Sequence, residues 1–352
     1  MPSTREIANY VGVSTSTVSL ALNNKDGVSK AMRQRILEAA TELSIQKNVR
    51  RERNETGRNG NRTESQSVLV LHSALITATD YFKDLLTGIE EAAHRYQLQL
   101  RLSADDPRQF SDHITNLYLS DPDLRPDGVI HLGSSHIKAT TQKAIDTGLP
   151  VIQIGVPHQP DRISFVAPDE IAAGYKAARH LLDLGHRALA MIGHQKNAPH
   201  LEQRLTGYRR ALADYHITPR DDWLFLAEYE GEGYEIEIRT IKAVTQAFIE
   251  KSPDVTAVVF TNWQSSAVAL PLLQQAGYRL PQDLSVVVFD DFEHARTFDP
   301  PLTAVAYPLV QMGMSAIKMV FEHLNNPEIE RMQQIFRTQL MVRASSAPPT
   351  RQ

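Results

Sequence analysis

The sequence predicts an α/β protein, with a small all-α three-helix head followed by a core of two lobes, each a doubly wound parallel sheet. Three observations carry this. Residues 4–43 place apolar side chains at helical spacing around a glycine-containing turn, and residues 50–66 contain no large apolar residue. From Ser67 onward, short apolar runs alternate with helical stripes, and that alternation occurs twice.

In the head, Ser3 and Glu6 have capping-box spacing, and Ile7, Ala8 and Val11 form an apolar stripe, which predicts a first helix over 4–10. Gly12 ends it. The turn Gly12-Val13-Ser14 leads into a second helix capped by Ser14. There Val18 and Leu22 point inward, while Thr15, Ser16, Thr17 and Ser19 face outward. Ser29 caps a third helix, whose stripe of Met32, Ile36, Ala39, Ala40 and Leu43 closes a core with Ile7, Val13, Val18 and Leu22. This is the helix-turn-helix arrangement, in which the second helix enters the major groove. Hydroxyls donate and accept, so this outward face suits phosphates and base edges.

Charge supports the same division. The chain carries a net −4, but residues 1–66 hold 11 Lys and Arg against 7 Asp and Glu, a net +4, which leaves −8 on the remainder. A basic head on an acidic body fits a polyanion-binding module. The stretch 50–66 has two glycines and Arg50, Arg51, Arg53, Arg58 and Arg62, so it reads as a basic flexible linker that either tracks phosphates or serves as a plain tether.

In the core, strands are predicted at Val68–Leu71, Leu98–Leu102, Gly128–Leu132 and Val151–Ile154, with helices near 81–96, 111–119 and 138–147. The second set has strands at Leu189–Ile192, Leu224–Leu226, Ala257–Phe260 and Val286–Phe289, with helices near 169–184, 201–215, 236–250 and 264–276. In open parallel sheets the ligand lies beyond the carboxyl ends of the strands. His72, Ser73, Ser134, Ser135, Asn262, Trp263, Asp290 and Asp291 occupy those positions, and Tyr81 and Phe82 open the first core helix.

Several chemistries lose support. The chain has no cysteine, so disulfides, thiolate zinc sites and cysteine nucleophiles are excluded. No nucleophile elbow, Walker A motif or GxGxxG is present, and His186, His194 and His200 lack compact metal spacing and read as turn, surface or loop histidines. Adjacent Asp290 and Asp291 point to opposite sides of a strand end, which favours structural roles over an acid pair. No catalytic residue, metal or cofactor is expected. The chain starts without a basic segment leading into an apolar run and has no stretch long and apolar enough for a membrane helix, so neither secretion nor a membrane partner is expected.

The sequence resembles the LacI/GalR family of bacterial transcription regulators. In the head the resemblance runs through Glu6-Ile7-Ala8, Gly12-Val13-Ser14, Ser16-Thr17-Val18-Ser19, Leu22-Asn23, Val28-Ser29 and Glu42-Leu43. In the core it runs through Asp127-Gly128-Val129-Ile130, Leu184-Gly185-His186-Arg187, Arg204 with Gly207-Tyr208, Thr261-Asn262, Phe289-Asp290-Asp291 and Pro300-Pro301-Leu302-Thr303. It implies a periplasmic-binding-protein-like core, a cytoplasmic, nucleoid-associated homodimer on a pseudo-palindromic double-stranded operator, and an effector bound between the lobes.

Carried over by position, Thr15, Ser16 and Ser19 face base edges, and Thr4, Thr17, Asn23 and Ser29 hold phosphates. Arg204 reaches the effector, with Ser73, Tyr81, Phe82, Ser134, Asn262, Trp263 and Asp290 around it. The implied domains are a headpiece over 1–48, an atypical hinge over 49–66, a first lobe from 67–166 and 299–326, a second lobe from 167–298 and 327–345, and a disordered tail over 346–352. Crossovers are expected near 164–168, 292–298 and 325–333.

Three departures stand out. Leu20 replaces the family's frequent arginine and offers at most a contact to a thymine methyl. Asn54 stands where a leucine usually wedges into the minor groove. Trp263 replaces a frequent aspartate, either as a stacking wall or as a plug. An arginine, an asparagine, a carboxylate and aromatic faces suit a sugar or sugar derivative. The alternatives are a regulator with a blocked cleft, a sugar-binding transport protein, or a sugar-modifying enzyme, for which no placed acid, base or nucleophile is visible.

Overall fold

The computed structural model describes residues 4–23, 25, 27–30, 32–37, 39–40, 66–73, 79–105, 121, 124–132, 142, 144–157, 160–194, 198–227, 234–251 and 254–350. The predicted linker with Arg50, Arg51 and Arg53, the wedge position Asn54, and Ser134 lie outside these residues, as do Ser3 and Leu43 of the head.

In the head, helix α1 (Thr4–Val11) and helix α2 (Thr15–Leu22) are joined by the turn at Gly12, whose φ of 76° is a left-handed conformation that glycine adopts without strain. The described residues from 30 to 40 form the third helix. Ile7, Ala8, Val18, Ala21, Ile36 and Ala39 make the core. One predicted core residue is displaced: Leu22 is 40% exposed, and Ala21 is buried in its place. On a helix of eight residues the inward stripe continues from Val18 through the i+3 neighbour, and the last residue turns outward.

The core contains two six-stranded sheets of matching design. The strands of the first are β1 (Ser67–Ser73), β2 (Gln99–Asp105), β3 (Gly128–Leu132), β4 (Val151–Ile154), β5 (Ser164–Pro168) and β11 (Gln333–Phe336), in the order β11-β5-β4-β3-β1-β2, all parallel. The second contains β6 (Leu189–His194), β7 (Leu224–Ala227), β8 (Ala257–Phe260), β9 (Ser285–Phe289), β10 (Thr303–Ala306) and β12 (Gln339–Met341), in the order β12-β10-β9-β8-β6-β7, with β12 alone antiparallel. β3, β4, β5, β6, β8 and β9 are buried at every position, as strands covered on both faces must be. Strand order reverses between β1 and β3 and again between β6 and β8, the positions at which open parallel sheets offer a crevice.

Three boundaries differ from expectation. Strand β10 stays in the second sheet, so the chain returns to the first lobe only at 307–308, just before helix α9 (Leu309–Asn325). The final crossover falls between β11 and β12, at Arg337 and Thr338, and residues 333–336 belong to the first sheet. β11 is an edge strand with its first three residues exposed, so no apolar run announces it. The C-terminal segment is also ordered through Thr350. Ser345 is fully buried and exchanges hydrogen bonds with Val286, Ala347 with Ser285, and the buried His186 ring contacts the Ala347 carbonyl at 2.9 Å.

Helices α4 (Glu170–Asp183) and α5 (Pro199–Asp214) cross in the second lobe at van der Waals contact of their backbones. A Cβ on Gly174 would lie 2.0 Å from the Arg204 carbonyl oxygen, and one on Gly207 would lie 1.9 Å from that of Ile171. Only glycine permits this approach. Gly207→Ala is expected to lower unfolding stability by about 1–3 kcal/mol or more, because rigid backbone has to move to make room. A urea midpoint equal to that of the parent chain would contradict it.

Candidate functional site

The polar face of α2 is organised by its own cap. Ser14 Oγ accepts the Thr17 N–H at 3.1 Å and lies 2.7 Å from Ser16 Oγ and 2.8 Å from Thr17 Oγ1. Thr15, Ser16 and Ser19 are exposed, whereas Thr17 is half-buried with its hydroxyl against the cap. Asn23 closes the helix by donating Nδ2–H to the Ser19 carbonyl at 2.8 Å. Thr4 is exposed at the start of α1. Ser29 caps the third helix, accepting the Met32 N–H at 3.2 Å. Leu20 is half-buried, with Cδ1 turned toward Gly27, which leaves little of it for a thymine methyl. A residue the sequence did not single out, Arg33, donates to the carbonyls of Ala21 at 2.9 Å and Lys25 at 2.6 Å, satisfying acceptors that the end of α2 leaves open.

Helix α3 (Asp80–Tyr96) and helix α7 (Trp263–Gln275) begin where the two lobes meet, since Asp80 accepts the Glu293 N–H and Trp263 packs against the first lobe's apolar cluster. The predicted aromatic pair on α3 divides. Phe82 lies 8% exposed in the first lobe's core against His72, at 4.4 Å between ring centroids, because it shares a face with Leu85, Ile89 and Ala92. Tyr81 turns instead toward the charged groups of the second lobe. Burial, then Asp290, raises its pKa. Ser73 ends β1.

On the second lobe, Asn262 caps α7, its Oδ1 accepting the Ser265 N–H at 2.8 Å. Trp263 is half-buried, packs against the first lobe's apolar cluster, and meets Phe292 edge-on at 6.4 Å. Asp290 adopts a left-handed φ of 73° and accepts the Trp263 N–H at 3.2 Å. Burial pushes its pKa up to about 6 against the opposing pull of Arg204. Asp291 points away and pairs with Arg343 at 2.7 Å.

Arg204, expected to present its guanidinium to a ligand, is instead 5% exposed and held by the protein. Its Nε and Nη2 donate to the two oxygens of Glu170 at 2.7 and 2.8 Å, Nη2 also donates to the Tyr307 hydroxyl at 2.8 Å, and Nη1 donates to the Thr261 carbonyl. Its charge lies 4.2 Å from the Phe289 ring centroid. Burial opposes that charge, and Glu170, Tyr307 and Asp290 together more than offset the effect, leaving the guanidinium pKa above its ordinary value.

The headpiece with a hydroxyl-faced second helix and the two-lobed core with a charged crevice agree with comparisons to known proteins. Residues 3–48 match the family described as bacterial regulatory proteins, lacI family, and residues 178–346 match the periplasmic binding protein-like domain. The chain thus joins a lacI-family DNA-binding head to a periplasmic binding protein-like domain. It is 27% identical over 351 residues to the HTH-type transcriptional repressor PurR of Mannheimia succiniciproducens, covering 98% of each chain. It is 26% identical over 332 residues to the ribose operon repressor of Haemophilus influenzae, covering 93% of each. Among solved structures, that of the transcriptional regulator CelR in complex with cellobiose matches at a TM-score of 0.72 and 25% identity, over 98% of this chain and 100% of that one.

With this head and core the protein is a DNA-binding transcription regulator, and its relatives are regulators rather than enzymes. Among the described residues no helix is long and apolar enough to cross a membrane. His194, read from sequence as a loop histidine, is buried at the end of β6, with Nε2 2.5 Å from Glu237 and Nδ1 3.1 Å from Ser265.

Glu170, Tyr307, Phe292 and Asp80 carry no local mark in the sequence that would single them out. Asp80 Oδ2 accepts the Glu293 N–H at 2.6 Å and lies 3.3 Å from Arg296, tying α3 of the first lobe to helix α8 (Glu293–Thr297) of the second. Glu170 follows the N-cap Asp169, so it looks like an ordinary first-turn acid complementing the helix dipole.

Because the pKa of Asp290 is raised in the folded chain, the native state binds more protons than the unfolded state between about pH 4 and pH 6. Its contribution to stability is therefore fully present below that window and is lost as pH rises through it. Asp290→Asn is expected to flatten this decline by about 3 kcal/mol at most, measured by urea titration at each pH. A pH profile that does not change on substitution would contradict it.

Proposed function

We propose that this regulator is a homodimeric repressor that reads a pseudo-palindromic operator through the hydroxyl face of α2 and responds to an uncharged sugar or sugar derivative bound between its lobes. The observation carrying the effector half is the convergence of Tyr81, Asn262, Trp263 and Asp290 where the strand order of both sheets reverses. Asn262 keeps its amide donors and Asp290 keeps one oxygen for sugar hydroxyls, and Trp263 supplies an aromatic face. The cellobiose held by CelR, a structure spanning the same full length, supports a carbohydrate over other small molecules. Ligand acts by linkage: it favours one lobe arrangement, and operator affinity changes by the difference in its binding energy between the two states.

A specific observation supports a second reading. Trp263 and Phe292 of the second lobe pack against the apolar cluster of the first, so the protein's own aromatics fill part of the crevice and stand in for an effector. Operator binding would then be constitutive.

For the DNA half, Ser16→Ala and Ser19→Ala are each expected to reduce operator affinity by about 1 kcal/mol or more while leaving affinity for unrelated DNA almost unchanged, read by fluorescence anisotropy at fixed salt. Equal losses on both DNAs would remove base reading from these serines. For the cleft, thermal shift against cellobiose, ribose and other neutral sugars is expected to give a saturable stabilisation accompanied by a change in operator affinity. No shift with any of them, alongside full operator binding, would favour the self-filled cleft.

A further inference from the structure

We infer that Glu170 determines the charge class of the effector: by neutralising Arg204 inside the lobe it makes the cleft reject phosphorylated and carboxylated sugars and accept uncharged ones. This rests on the reading that ligand binds between the lobes.

A guanidinium has five N–H donors, and four of those on Arg204 are directed at protein acceptors. Both Glu170 oxygens are occupied in return. Oε2 accepts from Arg204 Nε and, at 3.3 Å, from the hydroxyl of Tyr307, which itself accepts from Arg204 Nη2. The pair is almost fully excluded from water, with side chains 6% and 4% exposed. Recruiting Arg204 to an anionic ligand means stranding the Glu170 carboxylate in a dry site, the most costly state available to a buried pair. The charges that act on Asp290 are those of Arg204 and Glu170. The formal charges of Arg204 and Glu170 sum to zero, so Asp290 leaves the three groups with one negative charge in excess, and an entering phosphate or carboxylate meets like charge at short range. An uncharged polyol meets no such barrier.

The helix crossing fixes this arrangement. Arg204 supplies the backbone that Gly174 touches, and Glu170 immediately precedes Ile171, whose backbone Gly207 touches, so both side chains leave main chain that is held at the crossing. The bidentate geometry is therefore imposed by the scaffold rather than by a mobile side chain finding a partner.

The test uses the full chain in two arms. In the first, thermal unfolding is followed in sodium sulfate and in sodium chloride at matched ionic strength for the parent, Glu170→Gln and the double variant Glu170→Gln/Arg204→Met. Sulfate stabilises proteins generally, so the double variant serves as the baseline. Glu170→Gln is expected to show a saturable additional sulfate stabilisation that the parent and the double variant lack. An equal shift in all three would overturn the inference.

In the second arm, calorimetry on the parent compares cellobiose with cellobionate and glucose with glucose 6-phosphate. The neutral member of a pair is expected to bind at least about tenfold more tightly. An anionic member binding as well or better would overturn the inference while leaving the cleft as the sugar site, and this arm decides if Glu170→Gln does not fold. Sulfate capture by Glu170→Gln with no sugar binding to the parent would uphold the role of Glu170 and overturn the carbohydrate reading alone.

Discussion

The contact between α4 and α5 at Gly174 and Gly207 is the constraint from which the chemistry of the second lobe follows. Two backbones at van der Waals distance leave no freedom in how Glu170 and Arg204 meet, one turn before each glycine. A buried ion pair stabilises weakly in net terms, because desolvation opposes the Coulombic gain, yet removing one partner leaves an uncompensated charge. The pair therefore acts less as a source of stability than as a fixed element of the wall: a cation that cannot leave, stacked on Phe289 and braced by Tyr307.

Tyr307 extends this wall between the lobes, packing against the apolar clusters of both. Around it, Asp80 accepts from the start of α8, and Trp263 and Phe292 reach from the second lobe into the aromatic end of the first. These contacts join the two lobes beside the crossovers. The inner strands of both sheets are buried at every position, which makes each lobe resist internal deformation.

In the head, the same economy separates packing from reading. Val18 and Ala21 bury one side of α2, and Arg33 secures its last carbonyls from the third helix. The Ser14 cap engages Thr17, leaving Thr15, Ser16 and Ser19 as the exposed hydroxyls. With Leu20 turned toward Gly27, short hydroxyl side chains carry most of what this helix can offer a base edge.

Much of this was written in the sequence. Apolar periodicity places β1 to β4, β6 to β9 and the described helices between them to within a few residues, and Gly12-Val13-Ser14 with the stripes around it marks the headpiece, because these signals are local and repeat with the period of the element that carries them. The sequence alone also places Asn262, Trp263 and Asp290 at strand ends, where parallel sheets bind ligands. Only the tertiary structure decided which of these groups are available. It turned Phe82 into the core and Tyr81 toward the charged groups, assigned β10 to the second sheet and β11 to the first, and ordered the C-terminal segment against His186 and Ser285. It also closed Arg204 onto Glu170, 34 residues away in the chain. The physical reason is that pairing and burial depend on what approaches from elsewhere in the fold. A polar edge strand or a first-turn glutamate carries no local mark of its distant partner.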